Sequence, residues 1–159
     1  MYPFNRFIKR LALPRSARFN LKRFQVNHNL WLLKRFALEN QNPHSHSQTT
    51  VLELYYGIRE RDSGDLSAES ICRDGFPQQE GRCGKGIYLG NHSRFAMWQQ
   101  DNKDYCTAIV THVHPDVILN NIKRFNSKIN SGSNKWHSEY FVENPNIVYP
   151  AYVIDYTIT

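Results

Sequence analysis

Apolar and polar residues alternate along the chain in patterns that predict short strands and short helices. Phe19–Val26 has the pattern of a strand, and the apolar residues after Asn29 recur near the spacing of an amphipathic helix. Asn29 is a suitable N-cap, because its side-chain oxygen can accept hydrogen bonds from amides of the first turn. We expect this helix to end before Pro43, since proline lacks the amide that a helix interior needs.

Other segments are predicted from residue types, with glycine and proline marking their ends. The predicted strands are Thr50–Gly57, an apolar strand within the four-glycine segment Gly81–Gly90, Cys106–Val113, Glu139–Glu143 and Ile147–Ile158. The predicted helices are Ser67–Arg73, with Gly75 just past its end, and Ser93–Gln100, and the predicted loops are Asn40–Thr50 and Asn120–Lys135. Pro150 indicates an edge or a bulge in the last strand. Short strands dispersed among short helices favour an α+β fold.

Charge is distributed unevenly along the chain. Nine Lys or Arg and no Asp or Glu lie before Glu39, whereas eleven basic and fourteen acidic residues lie from Glu39 onward, a balance of 11 − 14 = −3. We expect a basic N-terminal arm, residues 1–18, ahead of a body formed by residues 19–159. Such an arm attracts nucleic acid or anionic membranes. An organellar targeting segment and a plain solvated tail remain alternatives.

Length and composition exclude several classes of protein. A chain of 159 residues with 40% apolar content has enough apolar residues for one core and too few for two ordinary domains. No apolar run approaches the ~20 residues of a transmembrane helix. Cys72, Cys83 and Cys106 show no CxxC spacing, so neither a disulfide framework nor a zinc site is predicted. We expect an intracellular protein, cytoplasmic or nuclear, with organellar targeting left open.

Three segments have an unusual content: Leu54–Gly57 (LYYG), Gly84–Gly90 (GKGIYLG) and His137–Asn144 (HSEYFVEN). In this order they resemble the three signature blocks of the catalytic domain of poly(ADP-ribose) polymerases and related ADP-ribosyltransferases. The flanking segments Phe24–Phe36, Ser70–Phe76 and Val148–Tyr156 are also similar to segments of that family. The resemblance covers about residues 19–159, and the combination of blocks is specific whereas each block alone is weak.

The resemblance implies a fold of two packed, largely antiparallel sheets with short flanking helices. It also implies NAD⁺ as the substrate, release of nicotinamide, and no metal. Cleavage of this glycosidic bond passes through a transition state with oxocarbenium character, which a fixed carboxylate stabilises. Glu139 lies where the family has its catalytic glutamate, which bonds the ribose 2′-hydroxyl. The alternative for Glu139 is an ordinary solvent-facing strand residue.

The same resemblance suggests roles for the residues around the nicotinamide. Tyr88 matches the tyrosine that stacks on the ring, and Gly57 the glycine whose backbone binds the carboxamide. Tyr56 stands where the family usually has a histidine that bonds the adenosine ribose, so a phenol would take that role. Ala96, or Phe95 if one residue is deleted, stands where the family has a serine that contacts the carboxamide. Trp98 is the candidate for the second aromatic wall, with helix packing as the alternative.

These departures from the family pattern favour a single transfer over polymer formation. We expect an NAD⁺-dependent ADP-ribosyltransferase that adds one ADP-ribose to a protein or nucleic-acid acceptor. The alternative is a catalytically weak or inactive module that binds NAD⁺ or ADP-ribose and whose basic stretch, residues 1–38, binds nucleic acid. The presence of Glu139 beside an intact GKGIY block favours activity. His112 and His114 are interpreted as alternating strand residues rather than metal ligands.

Overall fold

The computed structural model describes residues 3–11, 13–39, 52–58, 67–81, 83–93, 105–113, 122–128 and 136–159. The helices in these ranges are α1 (Pro3–Leu11), α2 (Leu30–Glu39) and α3 (Ala68–Asp74), and Pro145–Ile147 forms a 3₁₀ turn. The strands are β1 (Phe19–Val26), β2 (Leu52–Gly57), β3 (Gln79–Gly81), β4 (Gly84–Gly90), β5 (Cys106–Val113), β6 (Ile122–Lys128), β7 (Trp136–Val142) and β8 (Val148–Ile158). None of the helices in these ranges is long and apolar enough to cross a bilayer.

The strands pair in the order β1-β8-β5-β2-β4-β7-β6, with β3 beside β4. Every one of these pairs is antiparallel, so the predicted α+β class is confirmed at this level. The resemblance predicts two packed sheets, whereas the described strands follow one hydrogen-bonded path. The pairing between β2 and β4 is short: within the described residues, Tyr55 and Gly90 are their single pair. We call this pair the junction.

Helices cover both faces of the sheet. On the face that carries α1, the α1 face, Phe7 and Leu11 pack with Tyr55, Ile154 and Tyr156 in one buried cluster. The opposite face, the α3 face, holds a second cluster. Most of its members come from α3 and the four central strands, and they include Leu54, Tyr56, Ile71, Ile87 and Tyr140. Because side chains alternate along a strand, neighbouring residues of β2, β4 and β7 belong to different faces.

The first eighteen residues, predicted as a basic arm, contain a helix that is packed into the core. Pro3 stands at the first position of α1, where its missing amide costs nothing. Phe7 and Leu11 are fully buried one helical turn apart. The Phe7 ring meets the rings of Tyr55 and Tyr156 at centroid distances of 5.7 and 5.3 Å. α1 is therefore part of the same core as the sheet.

Asparagine side chains fix the start of α2, as the sequence predicts. Asn29 Oδ1 accepts hydrogen bonds from the amides of Trp31 and Leu32, which confirms the N-cap. Its Nδ2 donates to the carbonyls of Cys72 and Arg73 at 2.9 Å and so ties α2 to the end of α3. α2 ends at Glu39, ahead of Pro43 as predicted.

The end of α3 and the bulge in β8 also match the sequence. Ser67 caps α3, and Gly75 follows its last residue with φ +92°, a conformation that favours glycine. In the pairing of β5 with β8, Thr111 lies opposite Pro150 and Val110 opposite Tyr152, which leaves one extra residue in β8. This confirms a bulge at Pro150, although β8 lies between β1 and β5 and is not an edge strand.

One predicted loop is wrong. The abundance of Asn, Ser and Lys in Asn120–Lys135 predicts a loop, but Ile122–Lys128 forms β6 and pairs with β7 along its whole length. Among the described strands β6 is the last in the order and pairs with β7 alone, and edge strands tolerate polar and charged residues. The predicted loop Asn40–Thr50 and the helix after Ser93 lie outside the described residues.

Candidate functional site

Glu139 lies in the middle of a strand with a partner on each side. It is opposite Gly90 of β4 and opposite Phe125 of β6, so its backbone is held by both neighbours. Its side chain is partly exposed. Since β6 was missed from the sequence, this fixed position could not be foreseen. The pairing on both sides fixes the face of the sheet on which the Glu139 side chain begins.

Tyr88 belongs to the same face of the sheet as Glu139. Tyr88 pairs with Phe141, and two residues further along the same strands Gly90 pairs with Glu139. Tyr88 and Glu139 are therefore diagonal neighbours on adjacent strands. The Cα atoms of such diagonal pairs generally lie about 7–8 Å apart. The Tyr88 side chain is partly exposed. The structure thus brings together two of the residues that the sequence proposes for catalysis.

Hydrogen bonds and ring contacts fix the Tyr88 side chain. Its hydroxyl accepts from the Cys83 amide at 2.9 Å and donates to the Gly84 carbonyl at 2.8 Å, so it closes the turn between β3 and β4. The ring also lies 5.0 Å from the Phe141 ring, between centroids, at an angle of 49°. The support of Tyr88 by Phe141 could not be predicted from the sequence, because the contact depends on the register of two strands.

The glycines of this segment make room for aromatic rings of the chain itself. A Cβ atom on Gly81 would come within 2.6 Å of the Tyr88 hydroxyl oxygen. A Cβ on Gly86 would collide with the Phe141 ring and lie 2.7 Å from the carbonyl oxygen of Val142. Gly84, in contrast, has open space around the position of a Cβ atom, but its φ of +105°, which the turn requires, favours glycine. These three glycines are accounted for without a ligand.

Gly90 leaves a gap in the row of side chains beside Glu139. Tyr55, Gly90 and Glu139 lie opposite one another on three successive strands, and Gly90 contributes no side chain to this row. Gly57 belongs to the same face of β2 as Tyr55, because the two are separated by two residues. Within the described residues, β2 and β4 pair at the junction alone. Gly57 of β2 and Tyr88 of β4 are each two residues from the junction in the same direction, where the two strands are no longer paired. Gly57, Tyr88, Gly90 and Glu139, on one face around the junction, form the candidate site.

The N-terminal helix supplies a cation to the junction. Arg10 Nη1 donates to the Tyr55 hydroxyl at 2.9 Å and to the Asn91 carbonyl at 3.4 Å. The guanidinium carbon also lies 5.7 Å from the centre of the Tyr55 ring. Burial raises the pKa of Tyr55, opposed by the nearby charge of Arg10, so the phenol stays neutral at physiological pH. Arg10 was absent from the predicted site residues, because only the tertiary fold brings α1 to this place.

Tyr56 does not join Tyr88 and Glu139. It belongs to the α3 face, is 1% exposed, and packs against Phe76 with ring centroids 5.0 Å apart. Its hydroxyl donates to Gln79 Oε1 at 3.1 Å. The physical reason is the two-residue period of β2, which points Tyr55 and Tyr56 to opposite faces. The sequence placed Tyr56 at the site by its position beside Gly57, and position alone carries no information about the face.

Two further predicted site residues, Ala96 and Trp98, lie outside the described residues, as does His114. His112 is described in β5, with its ring 5.6 Å from the Tyr152 ring. Within the described ranges, no group of three or more His, Cys, Asp or Glu side chains is arranged to hold a metal ion. No model of a known protein family matches the chain, and no curated protein matches it either.

Proposed function

We propose that this chain is an NAD⁺-dependent ADP-ribosyltransferase that transfers a single ADP-ribose to a protein or nucleic-acid acceptor and releases nicotinamide. The observation that supports the proposal is the register of β4 and β7, which sets Tyr88 and Glu139 side by side on one face. An aromatic ring and a carboxylate at this spacing match the two ends of the reacting part of NAD⁺, a flat pyridinium ring and a ribose that becomes cationic.

Glu139 is the catalytic residue of this proposal. Its carboxylate accepts a hydrogen bond from the 2′-hydroxyl of the ribose and stabilises the positive charge that develops as the bond to nicotinamide lengthens. The electron pair of that bond leaves with nicotinamide, which departs neutral. A nucleophile of the acceptor then bonds to the same ribose carbon and loses its proton. No step of this sequence requires a metal.

Tyr88 and Gly57 hold the nicotinamide before cleavage. The Tyr88 ring offers its face to the pyridinium, and its bonded hydroxyl and the Phe141 contact keep the ring in place when no ligand is bound. Gly57 lets the backbone of β2 approach the carboxamide closely, because it has no Cβ. In this proposal the nicotinamide binds between the two residues, where β2 and β4 are no longer paired beyond the junction. Ala96 and Trp98 remain proposed wall residues of the same site.

Arg10 extends this site toward the charged part of the substrate. Its Nη1 atom is occupied by Tyr55 and Asn91, which holds the guanidinium at the rim of the gap. A guanidinium in a fixed position suits the diphosphate of NAD⁺. The exposed cations Lys9, Arg15 and Arg18 are the proposed contacts for a nucleic-acid acceptor.

The placement of Tyr56 favours a second candidate function. With its hydroxyl bonded to Gln79 in the core, Tyr56 does not reach the adenosine ribose as the family pattern implies. A domain that lacks this contact binds NAD⁺ in a less fixed position, which weakens catalysis more than binding. The second candidate is therefore a weakly active or inactive module that binds NAD⁺ or ADP-ribose.

Nicotinamide release from labelled NAD⁺ tests the proposal and separates the two candidates. We expect release by the wild type and a loss of about 10²–10³-fold in Glu139→Gln, the size typical of removing one stabilising group. Glu143→Gln is the matched control, because Glu143 lies four residues away in an exposed bend. Label on protein or nucleic acid identifies the acceptor. Equal release by Glu139→Gln contradicts the assignment of Glu139, and binding of ADP-ribose without any release supports the second candidate.

A further inference from the structure

Large exposed apolar side chains are concentrated in one stretch of the chain. Within the described residues, the stretch from 21 to 38 holds seven of the eight that are most exposed. They are Leu21, Phe24, Val26, Leu30, Trp31, Leu33 and Leu38, and the eighth is Tyr105. Single exposed apolar residues need no explanation, but a contiguous group marks a surface that binds something.

Four of these side chains form the outward face of α2. Leu30 is 78%, Leu38 62% and Trp31 58% exposed, and Leu33 shares their side of the helix. At 3.6 residues per turn they occupy an arc of about 160°. The inward side is narrower: Leu32 and Phe36 pack against Tyr149. α2 is therefore apolar both toward the sheet and toward solvent.

Within α2, the charged residues on and next to this face are basic, and the acidic Glu39 stands at the end of the helix. Lys34 lies within the outward arc and is exposed, and the guanidinium carbon of Arg35 lies 4.4 Å from the centre of the Trp31 ring. No Asp or Glu occurs before Glu39, the last residue of α2. Aliphatic side chains beside Lys34 and Arg35 suit a partner that is apolar and carries negative charge.

We propose that α2 docks on the surface of an anionic lipid bilayer. Leucine side chains reach into the acyl boundary, tryptophan sits at the level of the headgroups, and lysine and arginine pair with lipid phosphates and carboxylates. A nucleic acid fits the face poorly, because aliphatic side chains do not stack on bases. A convex helix surface likewise offers no groove for a peptide. This inference does not depend on the proposed catalytic function.

Cosedimentation of the full chain with vesicles tests the proposal. We expect binding to phosphatidylcholine vesicles that contain about 30% phosphatidylserine, and roughly 10-fold weaker binding to phosphatidylcholine alone. The double variant Leu30→Ser/Trp31→Ser should bind vesicles about 10-fold more weakly than the wild type, because it has less apolar surface to bury in the bilayer. Tyr105→Ser, which removes an exposed ring elsewhere, is the matched control and should bind as the wild type does. Both variants change exposed positions, and their melting temperatures check the fold.

Fluorescence shows whether α2 itself enters the bilayer. The difference between wild-type and Trp31→Phe emission isolates Trp31 from the other two tryptophans, and we expect it to shift to the blue on addition of anionic vesicles. Lys34→Gln removes one positive charge, so it should weaken binding to anionic vesicles and make that binding less dependent on salt concentration. Binding that survives in the double variant, equal binding to neutral vesicles, or an unshifted Trp31 spectrum overturns the proposal. A dimer that the double variant dissociates also overturns it, since the face then belongs to a second copy.

Discussion

Single glycines of β4 and the adjacent turn decide how the aromatic residues of the candidate site are held. The density of glycine between residues 81 and 90 predicts a tight turn or a close approach by another group. Both are present: Gly84 makes the turn, and Gly81 and Gly86 admit the rings of Tyr88 and Phe141. The approaching groups are side chains of the same chain. A glycine pattern by itself does not distinguish this case from the binding of a ligand.

Gly86→Ala tests the support of the site at this scale. The new Cβ would meet the Phe141 ring and the Val142 carbonyl, and the latter belongs to the β7 backbone that cannot shift freely. We expect a loss of about 1–3 kcal/mol in the free energy of unfolding, measured with urea, together with weaker NAD⁺ binding because Phe141 moves Tyr88. Lys85→Ala, at the exposed neighbouring position, should change stability by less than about 0.5 kcal/mol. An unchanged urea midpoint in Gly86→Ala would show that the rings adapt at no cost.

Among the elements, α1 is a helix of the core whose many basic residues favour a different interpretation of its sequence. The absence of acidic residues before Glu39 predicts a basic arm at the N-terminus. Its apolar residues Phe4, Phe7, Ile8 and Leu11 nevertheless follow the i, i+3, i+4, i+7 spacing of an amphipathic helix. Part of its charge is also internal, since Arg6 forms an ion pair with Glu53 of β2. The periodicity was a better guide to this segment than its net charge.

Phe7→Ala tests whether α1 is a structural element or a detachable arm. Phe7 is fully buried among aromatic rings, and truncation of such a residue leaves a cavity, so we expect a loss of about 3–5 kcal/mol in the free energy of unfolding. Asn5→Ala, at an exposed position of the same helix, should stay within about 0.5 kcal/mol of the wild type. Equal free energies of unfolding of the two variants would show that α1 does not stabilise the fold and is a detachable arm.

For the whole molecule, α1 links the two parts of the sheet beside the junction. Arg10 contacts Tyr55 of β2 and the carbonyl of Asn91, which follows β4. The buried Ser93 hydroxyl donates to the Phe7 carbonyl at 2.7 Å and so fixes the same helix to the segment after β4. The candidate site between β2 and β4 therefore depends on a helix that is remote in sequence from all three signature blocks.

The stability of the whole fold should depend on the protonation of His112. Burial lowers the pKa of His112 below its ordinary 6.5, an effect that the carboxylate of Glu53 opposes and the guanidinium of Arg6 reinforces. The unfolded chain binds the proton more tightly, so the free energy of unfolding is unaffected above about pH 6.5 and falls as the pH decreases below it. Urea unfolding of the wild type and His112→Gln between about pH 7.5 and pH 5 measures this. The wild type should lose more stability than the variant over that range, and parallel curves would contradict the prediction.

Local features of the fold could be predicted from the sequence with good accuracy. The bounds of β1 and β5, the Asn29 cap of α2 and the Gly75 end of α3 all agree with the structure. Each rests on interactions within a few residues, such as a side chain that caps its own helix or a glycine that adopts a positive φ. β6 is the exception, because an edge strand with polar residues is stabilised by its partner β7 rather than by its own composition.

The composition of the candidate site depended on contacts that are distant in sequence. The resemblance to the family implies that Tyr56, Tyr88 and Glu139 form a group, but strand register places Tyr88 and Glu139 on one face and Tyr56 in the core of the other. Arg10 and Phe141 join the site only because α1 packs on β2 and β7 pairs with β4. Residue types set what each position can do chemically. Which of them meet is decided by pairing between remote strands, since a shift of one residue would exchange the two faces.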